Sequence, residues 1–211
     1  MNAMTATPAR PTNPRRTRLL LIGGAIVALG AVVLGAGSVY VFSTQPQQVA
    51  VSDASGVANF NFRVTGIPVP GVVPGVKVKA NWNPASLGKA TATINVDLER
   101  LNTGIALRDQ HAKEFLGVPK HPTAVFRLQA LEGVSSLRPG QQAKATARGT
   151  INLNGVDHLL SAPTTLALNA AGDRLDVSTT FDVAFADYKI VIPGADPKTD
   201  VNVKFRLPVS K

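Results

Sequence analysis

The chain has 211 residues and no cysteine, and it holds one tryptophan, two tyrosines and three histidines. Without cysteine there can be no disulfide, no thiolate metal ligand, no cysteine nucleophile and no lipid-linked cysteine. No GxSxG elbow and no HExxH pair is present, so neither a serine-hydrolase arrangement nor a zincin helix is expected. Aromatic residues make up 5% of the chain, and none is interleaved with a basic stripe, so a nucleic-acid footprint is missing as well. Acidic residues are absent before Asp53, and no charge of either sign lies between Leu19 and Phe42.

That uncharged run is the first positive signal. It covers 42 − 18 = 24 residues, all apolar or small, and an α-helix needs roughly 20 to cross the hydrocarbon layer. Arg10, Arg15, Arg16 and Arg18 precede it, and Tyr40 and Phe42 close it. Basic residues on the short flank hold that flank in the cytoplasm, and aromatic rings favour the membrane interface. A cleaved signal peptide competes, with a small-residue site at Gly35–Ser38. Its apolar core usually spans about 7–15 residues, shorter than here. The expectation is therefore a single-pass protein of the inner (cytoplasmic) membrane, with its C-terminal part in the periplasm or outside the cell. Residues 1–18 form a cytoplasmic arm, 19–42 a transmembrane signal anchor, 43–50 a linker and 51–211 the folded domain. Gly24/Ala28 and Ala31/Gly35 have the small-xxx-small spacing that lets helices approach closely, which permits a homodimer without requiring one. Of the formal charge of +9, four units belong to the arm, leaving 9 − 4 = +5 spread as single residues over the rest.

Beyond the linker the sequence alternates. Phe60, Phe62 and Val64 share one face of a segment, as do Val76, Val78, Ala80 and Trp82 in the next. Ala90 to Leu98, Leu175 to Phe185 and Val201 to Leu207 repeat the pattern. A period of two is the mark of half-buried strands. The segments near Phe126–Ala130 and Ala143–Leu153 alternate less cleanly, and Asn154–Gly155 between apolar runs is a hairpin signal. About eight antiparallel strands with one dry face result, which must pack as a sandwich or close as a barrel. Many inward positions are small: Ala80, Ala90, Ala92, Ala145, Ala147 and Thr179. In a barrel they would leave apolar space; in a sandwich they would allow close packing.

One stretch breaks the pattern. Leu107 to Pro122, "LRDQHAKEFLGVPKHP", carries two of the histidines and reads as a short helix. Asn102 or Thr103 is placed to cap its start, and Gly117 with Pro119 to end it. Asp109 and His111 are close enough for a carboxylate to orient an imidazole, but no nucleophile accompanies them. A metal would have to draw on His111, His121, His158 and Asp109, whose spacing fits no familiar ligand pattern. Arg108, Asp109 and His111 read instead as a structural polar motif bonding backbone groups where the helix meets the sheet. Neither catalytic residues nor metal ligands are assigned.

The residues "TGIALRDQHAKEFLGVPKHPTAVF" resemble the hallmark of the YceI-like family of polyisoprenoid-binding proteins, through Arg108, Asp109, His111, Phe115, Leu116, Pro122 and Phe126. "INLNGV" at Ile151–Val156 and "YKI" at Tyr188–Ile190 are similar to two further family features. The resemblance implies a lipocalin-like antiparallel β-barrel with a short helical insertion, no enzymatic activity, no cofactor, and an apolar tunnel for an isoprenoid lipid or quinone. Residues expected to line it are Phe60, Phe62, Trp82, Ile94, Val96, Leu107, Phe115, Leu116, Phe126, Phe181, Phe185 and Phe205. Phe115 and Leu116 are expected to point inward from the helix, which would close one end. The Pro/Gly-rich stretch Val64–Val76 departs from the family pattern and reads as a loop at a barrel mouth. The alternative function is an envelope stress or interaction protein built on a filled barrel.

Overall fold

The computed structural model describes residues 49–209. The signal anchor expected at 19–42, the arm before it and linker residues 43–48 lie outside the described residues. Eight antiparallel strands close into a barrel in sequence order. They are β1 (Val49–Val64), β2 (Ile67–Trp82), β3 (Thr91–Asp97), β4 (Thr123–Glu132), β5 (Gln142–Leu153), β6 (Val156–Leu168), β7 (Arg174–Ala184) and β8 (Lys198–Pro208). The barrel, not the sandwich, is the answer to the alternation: β8 pairs back onto β1 from Gly56↔Phe205 to Asn61↔Asp200. Closure removes the sheet edges that an open arrangement would leave. β1 starts at Val49, two residues inside the segment expected to be linker.

The Pro/Gly stretch is a strand, not a loop. Ile67 to Trp82 runs as one strand paired with β1 along its length. Beyond it, β2 meets β3 only from Lys77↔Asn95 to Asn81↔Thr91, so its first half has a free side. Val72 exchanges both backbone hydrogen bonds with Asn102 on that side, at 2.9 Å each. Pro68, Pro70 and Pro74 share the parity of Val72, so their missing N–H groups fall on the free edge, where proline costs no ladder bond. Gly75, with φ of 74°, takes up a bulge between Pro74 and Val76. The inward residues accordingly change from Val69 and Val73 to Val76, Val78, Ala80 and Trp82.

The slot left where β2 outruns β3 receives the helical insertion. A 3₁₀ turn at Leu98–Arg100 follows β3, and helix α1 spans Ala106–Phe115. Its C-terminus is a Schellman motif: Val118 N–H bonds to the Lys113 carbonyl at 2.9 Å and Gly117 N–H to that of Glu114 at 3.0 Å. Gly117 supplies the left-handed φ of 71° that this ending needs. The start differs from expectation, because the N-cap is Ile105 and no side chain caps it. Asn102 instead accepts from Gly104 N–H at 2.7 Å, and Thr103 is used differently, as described below.

A candidate lipid tunnel

The inner faces of the strands do not fill the barrel. Two spaces remain inside it, and they share Val96, Ala124, Ile151, Phe181 and Val203 as walls, so that they adjoin at a common waist. One space occupies the half where β2 ends and β7 begins, and its walls include Ala80, Ala90, Ala92, Ala147 and Ala162. An eight-stranded barrel is just wide enough for side chains to fill, so alanine at these inward positions leaves space that larger residues would take. Ala145 is buried but does not reach the space.

The other space lies at the helix end and is walled by aromatic rings. Phe60 and Phe62 stack at 6.2 Å, and Phe62 meets Phe185 edge-on at 6.4 Å. Phe60 lies over Gly71 on the paired strand, where a Cβ would sit 2.1 Å from the ring. Glycine is what lets that ring lie flat. Helix α1 contributes Ala112 and Leu116 to the wall.

Ten of the expected lining residues face the tunnel: Phe60, Phe62, Trp82, Ile94, Val96, Leu116, Phe126, Phe181, Phe185 and Phe205. Leu107 and Phe115 do not. They are 63% and 40% exposed, because α1 docks through Arg108, Asp109, Ala112 and Leu116, and the Leu107/His111/Phe115 stripe turns outward. The expectation that Phe115 packs inward is corrected on that ground. Leu98, which the alternation from Ala90 places inward, also lines the tunnel, as do Leu101 and Ile192, which no alternation marked. Leu101 follows the 3₁₀ turn that Leu98 begins, and Ile192 lies in the irregular β7–β8 connection.

The polar motif holds the helix in place. Asp109 accepts from the Thr103 backbone N–H at 2.7 Å and from its hydroxyl. Arg108 Nε donates to Thr103 Oγ1 at 2.9 Å, and its Nη2 donates to the Thr103 carbonyl. Thr103 is 9% exposed, so these bonds satisfy groups that water barely reaches. His111 is exposed, with no hydrogen-bond partner among the described residues. Among those residues no three His, Asp or Glu side chains converge as a metal site would require.

The three sequence features read from the chain meet at this same end. The β5–β6 turn has Asn154 and Gly155 at φ of 51° and 72°, the paired left-handed geometry of a type I′ hairpin. Asn154 Nδ2 donates to the Tyr188 carbonyl at 3.1 Å, and a Cβ on Gly117 would lie 1.9 Å from Asn154 Oδ1. The helix C-terminus, the hairpin tip and the Tyr188 segment thus interlock without room for one more carbon. Gly117→Ala is expected to lower the melting temperature through both φ and this clash, measured by differential scanning calorimetry.

Tyr188 is 3% exposed and its ring meets His158 edge-on at 5.8 Å. Burial, and then the negative charge of Asp187, push its phenol up to about 12. In the unfolded chain the phenol ionises near its usual value of about 10. Because the folded-state value is the higher one, this contribution to stability is complete below about 10 and is lost as pH rises toward 12. Tyr188→Phe should therefore lose less stability than the parent over that interval, as measured by denaturant titration at each pH. Equal slopes would show that burial does not govern this phenol. Asp182 and Lys198 form an exposed ion pair in which each hydrogen-bonds the other, lowering the carboxyl and raising the amine. Solvent screening leaves such a pair little influence on stability.

A family model for the YceI-like domain matches residues 43–209. Comparison with curated proteins returns no match. Among solved structures, BcnA of Burkholderia cenocepacia superposes with a TM-score of 0.63 at 12% identity, covering 72% of this chain and 96% of that one. A polyisoprenoid-binding domain from Saccharophagus degradans, implicated in plant cell wall breakdown, gives 0.59 at 15% identity, covering 76% and 100%. The YceI protein of Campylobacter jejuni gives 0.55 at 17%, covering 68% and 86%. At these identities the likeness is one of fold.

Proposed function

We propose that the chain, which belongs to the YceI-like domain family, holds one isoprenoid chain of polyprenyl or prenyl-quinone type in its barrel. The observation that carries this reading is a pair of almost wholly apolar spaces inside a closed barrel, adjoining across five shared wall residues. Each buried CH₂ is worth roughly 0.8 kcal/mol, so several isoprene units offset the cost of ordering a flexible tail without any charged contact. The name of the Saccharophagus domain, polyisoprenoid-binding, supports the same ligand class here. The ten lining residues named above are the proposed contacts, with Leu107 and Phe115 outside them. With residues 19–42 as a signal anchor, such a protein would sequester or ferry the lipid beside the cytoplasmic membrane on its outer side. It needs no cofactor, metal or nucleic acid for that task, and no catalytic step.

A second reading has one observation in its favour. Ile67, Ile105, Leu107, Phe115, Leu159 and Val191 are exposed, and the topology places all six at or near the helix end. An envelope interaction protein would use such a surface, with the barrel as scaffold. The two readings separate by titration. Trp82 is the one tryptophan of the chain and lines the tunnel. A long polyprenol added to delipidated protein should change its fluorescence saturably at one lipid per chain. No saturable change contradicts lipid binding and leaves the scaffold reading.

A further inference from the structure

Charge divides unevenly along the barrel. The waist residues Val96, Ala124, Ile151, Phe181 and Val203 mark its middle, and Val76 lies beside Val96 and opposite Gly56. The half where β1 begins therefore comprises residues 49–56, 77–95, 125–150, 160–180 and 204–209. It holds ten Lys or Arg and four Asp or Glu, 10 − 4 = +6, whereas the helix half holds seven and nine, 7 − 9 = −2. All ten cations of the first half are exposed. Two of its carboxylates are already engaged: Glu132 by Arg148 at 2.9 Å, and Asp176 by Arg174 and Arg206 at 3.2 Å each. Lys79, Lys89, Arg138 and Lys144 have no carboxylate partner among the described residues.

These side chains come from β2, the β2–β3 and β4–β5 connections, β5, β7 and β8, so they ring the rim instead of following one groove. A ring suits a flat charged surface, whereas a nucleic acid would require a basic stripe with stacking aromatics. β1 starts at Val49 opposite Trp82, so residues 1–48 join the barrel at this rim. On the signal-anchor reading of residues 19–42, only residues 43–48 separate the membrane span from it.

We propose that this basic rim docks on the anionic phospholipid head groups of a bilayer, with the helix end turned away. Each Lys or Arg near such a surface strengthens binding about fivefold, and the net charge of the helix half opposes the reverse orientation. The six large exposed apolar side chains all lie at the helix end, so the rim has none to insert and its contact is electrostatic. Salt should release it, since the Debye length falls from roughly 10 Å at 0.1 M to roughly 3 Å at 1 M. The inference does not depend on what the tunnel holds; its orientation uses the signal-anchor reading.

The chain has no cysteine, so one fluorophore can be attached at Ser136→Cys on the rim or at Ala186→Cys at the helix end, both exposed positions. The full chain is reconstituted in nanodiscs of phosphatidylcholine alone or mixed equally with phosphatidylglycerol, with a quencher on the head groups of a trace lipid. The Ser136→Cys label should be quenched more strongly on the anionic discs and lose that excess at about 1 M salt, while the Ala186→Cys label should not respond. Replacing Lys89, Arg138 and Lys144 together by Gln should shift the docked-to-undocked ratio by roughly a hundredfold. Replacing Arg63, Lys120 and Lys189 by Gln removes the same charge from the helix half and should leave it unchanged. All six side chains are exposed, so both variants should melt with the parent. Equal quenching on the two kinds of disc overturns the proposal, as does an equal loss in the two triple variants or approach of the Ala186→Cys label instead. Tighter binding to duplex DNA than to anionic vesicles at equal salt overturns the membrane as partner. If alkaline carbonate strips the chain from the discs, the signal-anchor reading alone fails. Docking then requires that the chain co-float with phosphatidylcholine–phosphatidylglycerol vesicles and not with phosphatidylcholine ones, and its failure to do so overturns the proposal.

Discussion

Replacing Ala124 by Phe is expected to abolish binding of long isoprenoids while leaving the barrel as stable as before, or more so. Ala124 pairs with Val96 across the β3–β4 ladder and is one of the five residues that wall both halves of the tunnel. A phenyl ring there occupies the waist. In a close-packed core such an insertion costs about 1–3 kcal/mol, but here the ring enters empty space, and filling a cavity stabilises. The lipid loses access to one half of the tunnel. With roughly 0.8 kcal/mol per CH₂, losing even a single isoprene unit from the buried tail weakens binding by more than a hundredfold. A lipid short enough for one half should still bind. Calorimetric titration with a long and a short polyprenol, beside melting curves of the lipid-free variant, checks both parts. Long-chain binding that survives intact would mean that the two spaces do not serve as one tunnel.

The second large effect concerns the helix. Asp109→Ala leaves the Thr103 N–H and hydroxyl without their acceptor in a site that water barely reaches. Unsatisfied buried groups of this kind cost about 1–3 kcal/mol, and for a domain of this size that corresponds to a fall of roughly 2–12 °C in Tm. Asp109→Asn keeps an oxygen for the Thr103 N–H and should cost less than half as much. Since Ala112 and Leu116 of the same helix wall the tunnel, a loosened helix opens that end. Lipid dissociation should then quicken in Asp109→Ala beyond what its affinity for the tail predicts, measurable by transfer to acceptor vesicles. A variant with parent-like Tm would show that the Thr103 contacts do not anchor the insertion.

Where the strands are regular the sequence is legible, and the reasons are local. β7 and β8 contain no bulge, so Leu175, Val177, Phe181, Val203 and Phe205 all face inward as their period of two requires. β4 looked irregular because of a register shift between Leu128 and Ala130. Phe126 and Leu128 face the tunnel before it, Leu131 after it, and a one-residue insertion reverses the face of everything downstream. The prolines of β2 suggested a loop because their effect depends on which edge of the strand is paired, and a single strand's sequence does not carry that information. In α1 two stripes competed, Leu107/His111/Phe115 and Ala112/Leu116. The larger side chains favoured the first; the Arg108 and Asp109 bonds to Thr103 fix the second against the barrel. The small inward residues were visible, but whether they left space depended on closure, which β1 and β8 complete across the length of the domain.

On the reading proposed above, the barrel carries one isoprenoid chain inside it. Native mass spectrometry of the freshly purified full chain tests this most directly, with a second spectrum after organic extraction and a third after adding back a prenyl quinone. The expected result is a single adduct of isoprenoid mass, its loss on extraction and its return at one molecule per chain. A bare protein mass in the first and third spectra would contradict it.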